Sequence, residues 1–288
     1  MHVAIVGLGE VGRCYAKPLQ DAGFELGLCE IRPSPAAVEL TAFWGLPIHD
    51  RPGEWLDRAH LVLSCVTGDV AMTVVEQYLP HLRAKALLAD LTTARADVKR
   101  SAASLAAQAS VRYVDVAIMG GITLNRERTP LLASGDGADE VKAAIERAGG
   151  RVQVIAGGAA GDAISLKILR SVFTKGMEAL AVELLTSAEK QGVREQLYQQ
   201  LSDIDQTPLR AFLDMLVRTH VVHAKRRAHE VHDARGELAA QGLPSLVLPG
   251  VEQRFRATVD ALARRAPEMA EPNVDQALRW LLADAAAA

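Results

Sequence analysis

The stretch His2-Val3-Ala4-Ile5-Val6-Gly7-Leu8-Gly9-Glu10-Val11-Gly12, answered further on by Leu26-Gly27-Leu28-Cys29-Glu30, decides the fold. An apolar run rich in β-branched residues reads as a buried strand. The G-x-G-x-x-G that follows closes a tight turn and opens a helix. Gly7 permits the turn, Gly9 lets backbone approach a pyrophosphate, and Gly12 lets the helix sit close on the strand. The helix N-terminus then offers free N–H groups and a positive dipole end to phosphates. A second strand ends at Glu30, roughly 20 residues past the glycines, where an acid can bind ribose hydroxyls. Strand, loop, helix and acid together point to dinucleotide binding. The candidate contacts are Gly7, Leu8, Gly9, Glu10, Val11, Gly12, Glu30 and Arg32.

Apolar segments then alternate with helical ones. Leu61–Val66, Ala86–Leu91, Val111–Ile118, Leu131–Ser134 and Val152–Ile155 read as strands, with Leu46-Pro47-Ile48 a brief one at best. Helices are predicted over 13–22, with Pro18 inside, then 36–44, 69–82, 139–148 and from Thr93 or a near neighbour as cap to about Ala109. Alternation of this kind predicts an α/β fold: a doubly wound, Rossmann-type parallel sheet covered on both faces. Ligands of such sheets lie at the carboxyl ends of the strands. The strand ends at Cys65, Val66 and Thr67, at Asp90 to Thr93 (with Thr92 a cofactor candidate) and at Met119, Gly120 and Gly121 are therefore expected to meet the glycine loop in one crevice.

The pattern changes at Gly157-Gly158-Ala159-Ala160-Gly161. From Asp162 to about Gln191 a helical pattern runs for roughly 30 residues, about 45 Å at 1.5 Å per residue. Only helix signals follow, over 194–201, 207–232, 237–241, from near Pro249, and 274–287. Two domains are expected: 1–160 for the dinucleotide, and an all-helical 161–288 for substrate and dimerisation, with a homodimer formed through its helices.

Composition narrows the function. The chain has 288 residues, a net charge of −3, 49% hydrophobic and 23% charged residues. That leaves no basic footprint for nucleic acid. No apolar run approaches the roughly 18 residues of a membrane span. The three cysteines, Cys14, Cys29 and Cys65, are expected as reduced thiols, and the early first strand leaves no room for a leader, so a cytoplasmic protein is expected. His220, His223, His229 and His232 share one helix, but no complete ligand set is visible and no metal is expected; a dimer contact or pocket is the preferred use of that face. His223 or Arg227 of that helix can reach substrate from the second domain; Arg126 and Arg128 of a loop can meet an anion at the crevice mouth, although loop charges are usually just solvated. Trp44, Trp55 and Trp280 read as packing residues.

Lys167 lies in the second turn of the long helix among Ile164 and Ile168, an apolar setting that lowers a lysine pKa toward useful proton transfer. Here the chain resembles the β-hydroxyacid dehydrogenase family, which includes 6-phosphogluconate dehydrogenase. That family carries a D-A-P-V-S-G-G motif for substrate and G-x-x-x-K-x-x-x-N for catalysis. This sequence has Asp115-Val116-Ala117-Ile118-Met119-Gly120-Gly121 and, after the glycines, Lys167 and Ser171. The likeness covers residues 1 to about 191. The last third, with the run 166–176, resembles a less characterised, phosphogluconate-dehydrogenase-like branch.

The resemblance implies a nicotinamide-dependent dehydrogenase or reductase with Lys167 as general acid/base, Ser171 beside it, and Met119, Gly120 and Gly121 at the substrate. Two departures, Met119 for serine and Ser171 for asparagine, point from a small hydroxycarboxylate toward a bulkier or less polar carbonyl compound. An imine reductase and a non-catalytic cofactor sensor are the alternatives. Glu30 favours NAD, whereas Arg32 and Ser34 keep NADP in view.

Overall fold

The structure, a computed structural model, describes residues 1–285. It falls into two compact units, Met1–Val172 and Phe173–Ala288.

In the first unit the elements run β1 (His2–Val6), α1 (Glu10–Asp21), β2 (Glu25–Cys29), α2 (Pro35–Trp44), β3 (Ile48–His49), β4 (Leu61–Ser64), α3 (Ala71–Tyr78), β5 (Leu87–Asp90), α4 (Ala96–Gln108), β6 (Arg112–Ile118), α5 (Ile122–Asn125), β7 (Pro130–Gly135), α6 (Ala138–Arg147), β8 (Arg151–Val154) and the start of α7 (Asp162–Lys190). The eight strands form one sheet in the order β3-β2-β1-β4-β5-β6-β7-β8. The chain order reverses between β1 and β4, the place where such sheets bind nucleotides.

Period-2 alternation builds both faces. Val3, Ile5, Leu61, Leu63, Val114 and Val116 pack with α1 and α6 into one core. Ala4, Val6, Val62, Leu88 and Tyr113 pack with α3 and α4 into the other. Each fully buried Leu or Ile stabilises the sheet by about 1.5–3 kcal/mol relative to exposure.

The sheet departs from the expected all-parallel form at one place. β7 pairs with β6 antiparallel, and β8 runs parallel to β7. The link between β6 and β7 holds only the one-turn helix α5 and a 3₁₀ turn. A parallel return needs a crossover of a dozen or more residues, usually with a helix long enough to cover the sheet.

Local expectations also shift. Thr93 does not cap α4: its N-cap is Arg95, with no side-chain cap bond, and the neighbouring Thr92 hydroxyl is spent on the N–H of Ala94 at 3.2 Å. The helix expected over 69–82 is α3 flanked by two 3₁₀ turns, the second holding Pro80. Pro18 sits inside α1 without ending it.

The second unit holds the rest of α7, then α8 (Arg194–Gln200), α9 (Ser202–Asp205), α10 (Leu209–Ala240), α11 (Leu248–Arg264) and α12 (Val274–Ala285). It is all helical among the described residues. The two segments expected over 207–241 are one helix, α10, despite Gly236. One interior glycine costs about 1 kcal/mol, less than the packing of so long a helix returns. α10 pairs with α11 and α12 around Val221, Ala261, Ala277 and Trp280. Residues 286 and 287, the end of the last expected helix, lie outside the described residues. No described helix is long and apolar enough to cross a membrane.

Candidate active site

The glycine loop is shaped as its spacing requires. Gly7 has φ +89°, and a Cβ there would stand 2.9 Å from the carbonyl carbon of Cys65. A Cβ on Gly12 would stand 1.9 Å from the Gly7 carbonyl oxygen, so only glycine lets α1 start against the loop. Gly9 differs: nothing lies within 4 Å of its missing Cβ. It faces the open space that a pyrophosphate would take, with the first N–H groups of α1 beside it.

Glu30 follows the end of β2 and reaches back to this loop. Its Oε2 accepts the N–H of Leu8 at 2.8 Å and its Oε1 that of Arg32 at 3.1 Å. Arg13, which the sequence reading did not single out, donates from Nη1 to the Leu8 carbonyl at 2.8 Å and to Ser34 Oγ at 3.3 Å. Its signal was position: it directly follows the last glycine of the motif. Exposed Arg32 completes a charged rim.

The loops after β4 and β5 close on each other. A Cβ on Gly68 would stand 2.8 Å from the N of Ala94, so the segment holding Cys65, Val66 and Thr67 lies against the one holding Thr92. Cys65 is half-buried and burial pushes its thiol well up; Thr92 is buried and structural in its contacts. The glycine fold at Gly7, β4 and β5 thus bring the expected cofactor residues to one edge.

Beneath the next strand end lies a buried polar cluster. Asp90 and Asp115 are cross-strand neighbours in β5 and β6. Two adjacent carboxylates in a dry core need a cation. Lys99, fully buried on α4, supplies it: Nζ donates to Asp115 Oδ1 at 2.7 Å and to the Asp90 carbonyl at 2.9 Å, and stands 3.7 Å from Asp90 Oδ1. Tyr113 donates its hydroxyl to Asp90 Oδ2, and the N–H of Thr92 donates to Oδ1 at 2.8 Å. Removing one member of such a pair costs about 3–5 kcal/mol, because the other is left charged and dry. The sequence reading missed Lys99. The signal was a lysine in register with the buried Ala102 and Ala106 of α4.

Asp115 also links the two chemical motifs. Its Oδ2 accepts the N–H groups of Gly161 at 3.2 Å and Ile164 at 2.9 Å, which caps the start of α7. At the other end of the same motif, Arg170 of α7 donates to the Met119 carbonyl at 3.3 Å. Asp115–Gly121 is therefore tied to the helix that carries Lys167 at both ends. Lys167 is half-buried, and burial first, then the Lys99 ammonium, hold its amine below the usual lysine range against the pull of Asp115. Ser171, one turn further, is exposed on the same side of α7. Met119 packs against Ala117, Leu132 and Ala163, and makes an apolar wall where a serine hydroxyl would have been. Gly120 and Gly121 are exposed, and the Gly121 carbonyl accepts the N–H of Leu124 at 3.3 Å.

A family model described as the NAD binding domain of 6-phosphogluconate dehydrogenase matches residues 2–157. The chain belongs to that family. A second model, a domain of unknown function, matches residues 188–258 within the helical unit. Over 260 residues the chain is 25% identical to an uncharacterised 28.5 kDa protein of Methanothermus fervidus, covering 89% of this chain and 98% of that one. A solved conserved protein of unknown function, described as structurally similar to 3-hydroxyacid dehydrogenases, shares 27% identity over 92% of this chain and 99% of its own, with a TM-score of 0.64. An imine reductase variant from Myxococcus stipitatus, solved with NAD+, superposes with a TM-score of 0.77 at 18% identity, over 97% of this chain and 99% of that one. The last likeness is one of fold.

Three of the histidines of α10 have partners nearby. His220 Nε2 meets Thr258 Oγ1 at 2.8 Å, His232 Nδ1 meets buried Glu252 at 3.2 Å, and His229 lies 3.6 Å from Asp233. Among the described residues no three His, Cys, Asp or Glu side chains are grouped to hold a metal. Trp280 is buried in the α10–α12 core, while Trp44 and Trp55 are partly buried against the two cores of the first unit.

Proposed function

We propose that the protein is an NAD(P)-dependent dehydrogenase or reductase in which Lys167 is the general acid/base toward a hydroxy acid or a related carbonyl compound. A bound nicotinamide supplies a hydride acceptor or donor. The chain does the rest. Gly7 to Gly12 receive the pyrophosphate, Glu30 the adenosine ribose, and Cys65, Val66, Thr67 and Thr92 border the nucleotide. The backbone N–H groups of Gly120 and Gly121 hold the substrate's polar group, and Ser171 donates a hydroxyl. Lys167 Nζ gives a proton to the substrate oxygen in reduction and takes it in oxidation, a role typically worth 10²–10⁴-fold in rate.

The observation that carries this reading is the double tie between motif and helix. Asp115 caps the start of α7 at 2.9 Å from Ile164, and Arg170 holds the Met119 carbonyl at 3.3 Å. A half-buried amine with lowered proton affinity stands between these anchors.

Imine reduction is the second reading. The apolar packing of Met119 favours it, since a serine hydroxyl that would hold a carboxylate is missing. NAD is the better match to a Glu30 carboxylate at the loop; Arg13, Arg32 and Ser34 are the groups that would receive a 2′-phosphate. A second copy of the chain is the expected partner, through the helical unit: Met177 and Val182 are 52% and 62% exposed on its part of α7.

The test is turnover on a panel of hydroxy acids, keto acids, aldehydes and cyclic imines with each cofactor. Turnover on an oxygen substrate supports the first reading and turnover on cyclic imines alone the second. Cofactor binding with no turnover on any class would leave a cofactor-sensing protein.

A further inference from the structure

Lys99 belongs to neither the cofactor nor the substrate motif, yet it is fully buried and placed on the residue that heads α7. Asp115 divides its carboxylate between the two. Oδ1 takes the Lys99 ammonium at 2.7 Å, and Oδ2 takes the N–H of Ile164 at 2.9 Å. Lys167 follows Ile164 by three residues, about one turn of helix.

We infer that Lys99 and Asp115 are a positioning pair: by holding the first turn of α7 they set where the Lys167 amine, about one turn further on, stands. The catalytic meaning of this rests on the proposed role of Lys167; its physical content does not.

Charged groups gather at the start of α7, Arg100 of α4 among them: a Cβ on Gly161 would stand 3.0 Å from its Nη1. From α4 comes Lys99; from β6 comes Asp115, which shares that lysine with Asp90 of β5. Tyr113 is spent on Asp90. On α7 itself, Asp162 accepts the N–H of Ala159 and Arg170 is turned to Met119. The two charges of the pair act on Lys167 with opposite sign, the ammonium against its protonation and the carboxylate for it. Loss of each must therefore move the amine in opposite directions. A pair that merely held the fold together would not do this.

The test is a ¹³C NMR titration of the full chain labelled at lysine Cε, with the Lys167 signal assigned by its loss in Lys167→Met. Asp115→Asn keeps an oxygen for the helix N–H groups and removes the charge. Lys99→Met keeps the stem and removes the cation. The expected result is a Lys167 midpoint lowered by about half a pH unit or more in Asp115→Asn and raised by a similar amount in Lys99→Met. If Lys99→Met does not fold, Asp115→Asn against wild type decides. Shifts of the same sign, or a midpoint unchanged or raised in Asp115→Asn, would overturn the inference. The pH profile of turnover should move with the midpoints. Opposite NMR shifts with full turnover in a Lys167 variant would sink the catalytic reading and leave this inference standing; absent shifts with lost turnover would do the reverse.

Discussion

The Glu30 carboxylate accepts the backbone N–H of Leu8 at 2.8 Å, so the acid after β2 is bonded directly to the glycine loop. The acid proposed to bind the ribose thus also braces the loop proposed to receive the phosphates. Glu30→Ala is expected to weaken NAD binding about tenfold, the loss of one or two charge-assisted hydrogen bonds. NADP binding should suffer less, because the carboxylate that repels a 2′-phosphate is gone. Calorimetric titration with both cofactors checks this; an unchanged NAD affinity would take Glu30 out of the site.

Gly9 and Gly12 should separate binding from folding. A Cβ on Gly12 would overlap the Gly7 carbonyl at 1.9 Å, and Gly12→Ala should destabilise by about 3 kcal/mol. Gly9→Ala meets nothing within 4 Å, so its melting temperature without cofactor should match wild type. Its cofactor affinity should nonetheless fall at least tenfold, about 1.4 kcal/mol, if the pyrophosphate comes to that backbone. Equal affinity in Gly9→Ala would place the phosphates elsewhere.

The helical unit should lose stability in acid. Burial, with Arg254 and Arg227 nearby, lowers His220 to about 4 from 6.5. The folded-state value is below the unfolded one, so between these values the unfolded chain binds more protons. Stability therefore falls as pH drops from about 6.5 toward 4, by about 3 kcal/mol in all, and levels off below that. His220→Gln, which keeps a partner for Thr258, should flatten this part of the curve. Urea unfolding of the two proteins across that range measures it, and equal slopes would assign the acid sensitivity to other groups.

The repeating parts of the molecule were legible in the sequence. Continuous apolar runs such as Val3 to Val6 and Leu61 to Leu63 marked the strands of the sheet, β3 only as a brief one, and the glycine spacing marked the turn between β1 and α1. The antiparallel turn at β7 was not legible, because the direction of a strand depends on the length and path of the link before it. Nor was the continuity of α10, where tertiary packing outweighs Gly236. Within the site, the motif residues were found because their types and spacing are local. Arg13 and Lys99 were missed for the opposite reason. Arg13 matters through a carbonyl and a serine hydroxyl brought to it by the fold. Lys99 matters through Asp115, 16 positions away in the chain, and no periodicity in α4 names that partner.

The proton-transfer role of Lys167 is tested most directly by Lys167→Ala, measured for cofactor affinity and for turnover on the best substrate of the panel. The expected result is an affinity within about threefold of wild type, since Lys167 is not among the residues proposed to hold the nucleotide, together with turnover lower by roughly 10²-fold or more. Turnover that survives the substitution undiminished would contradict the assignment.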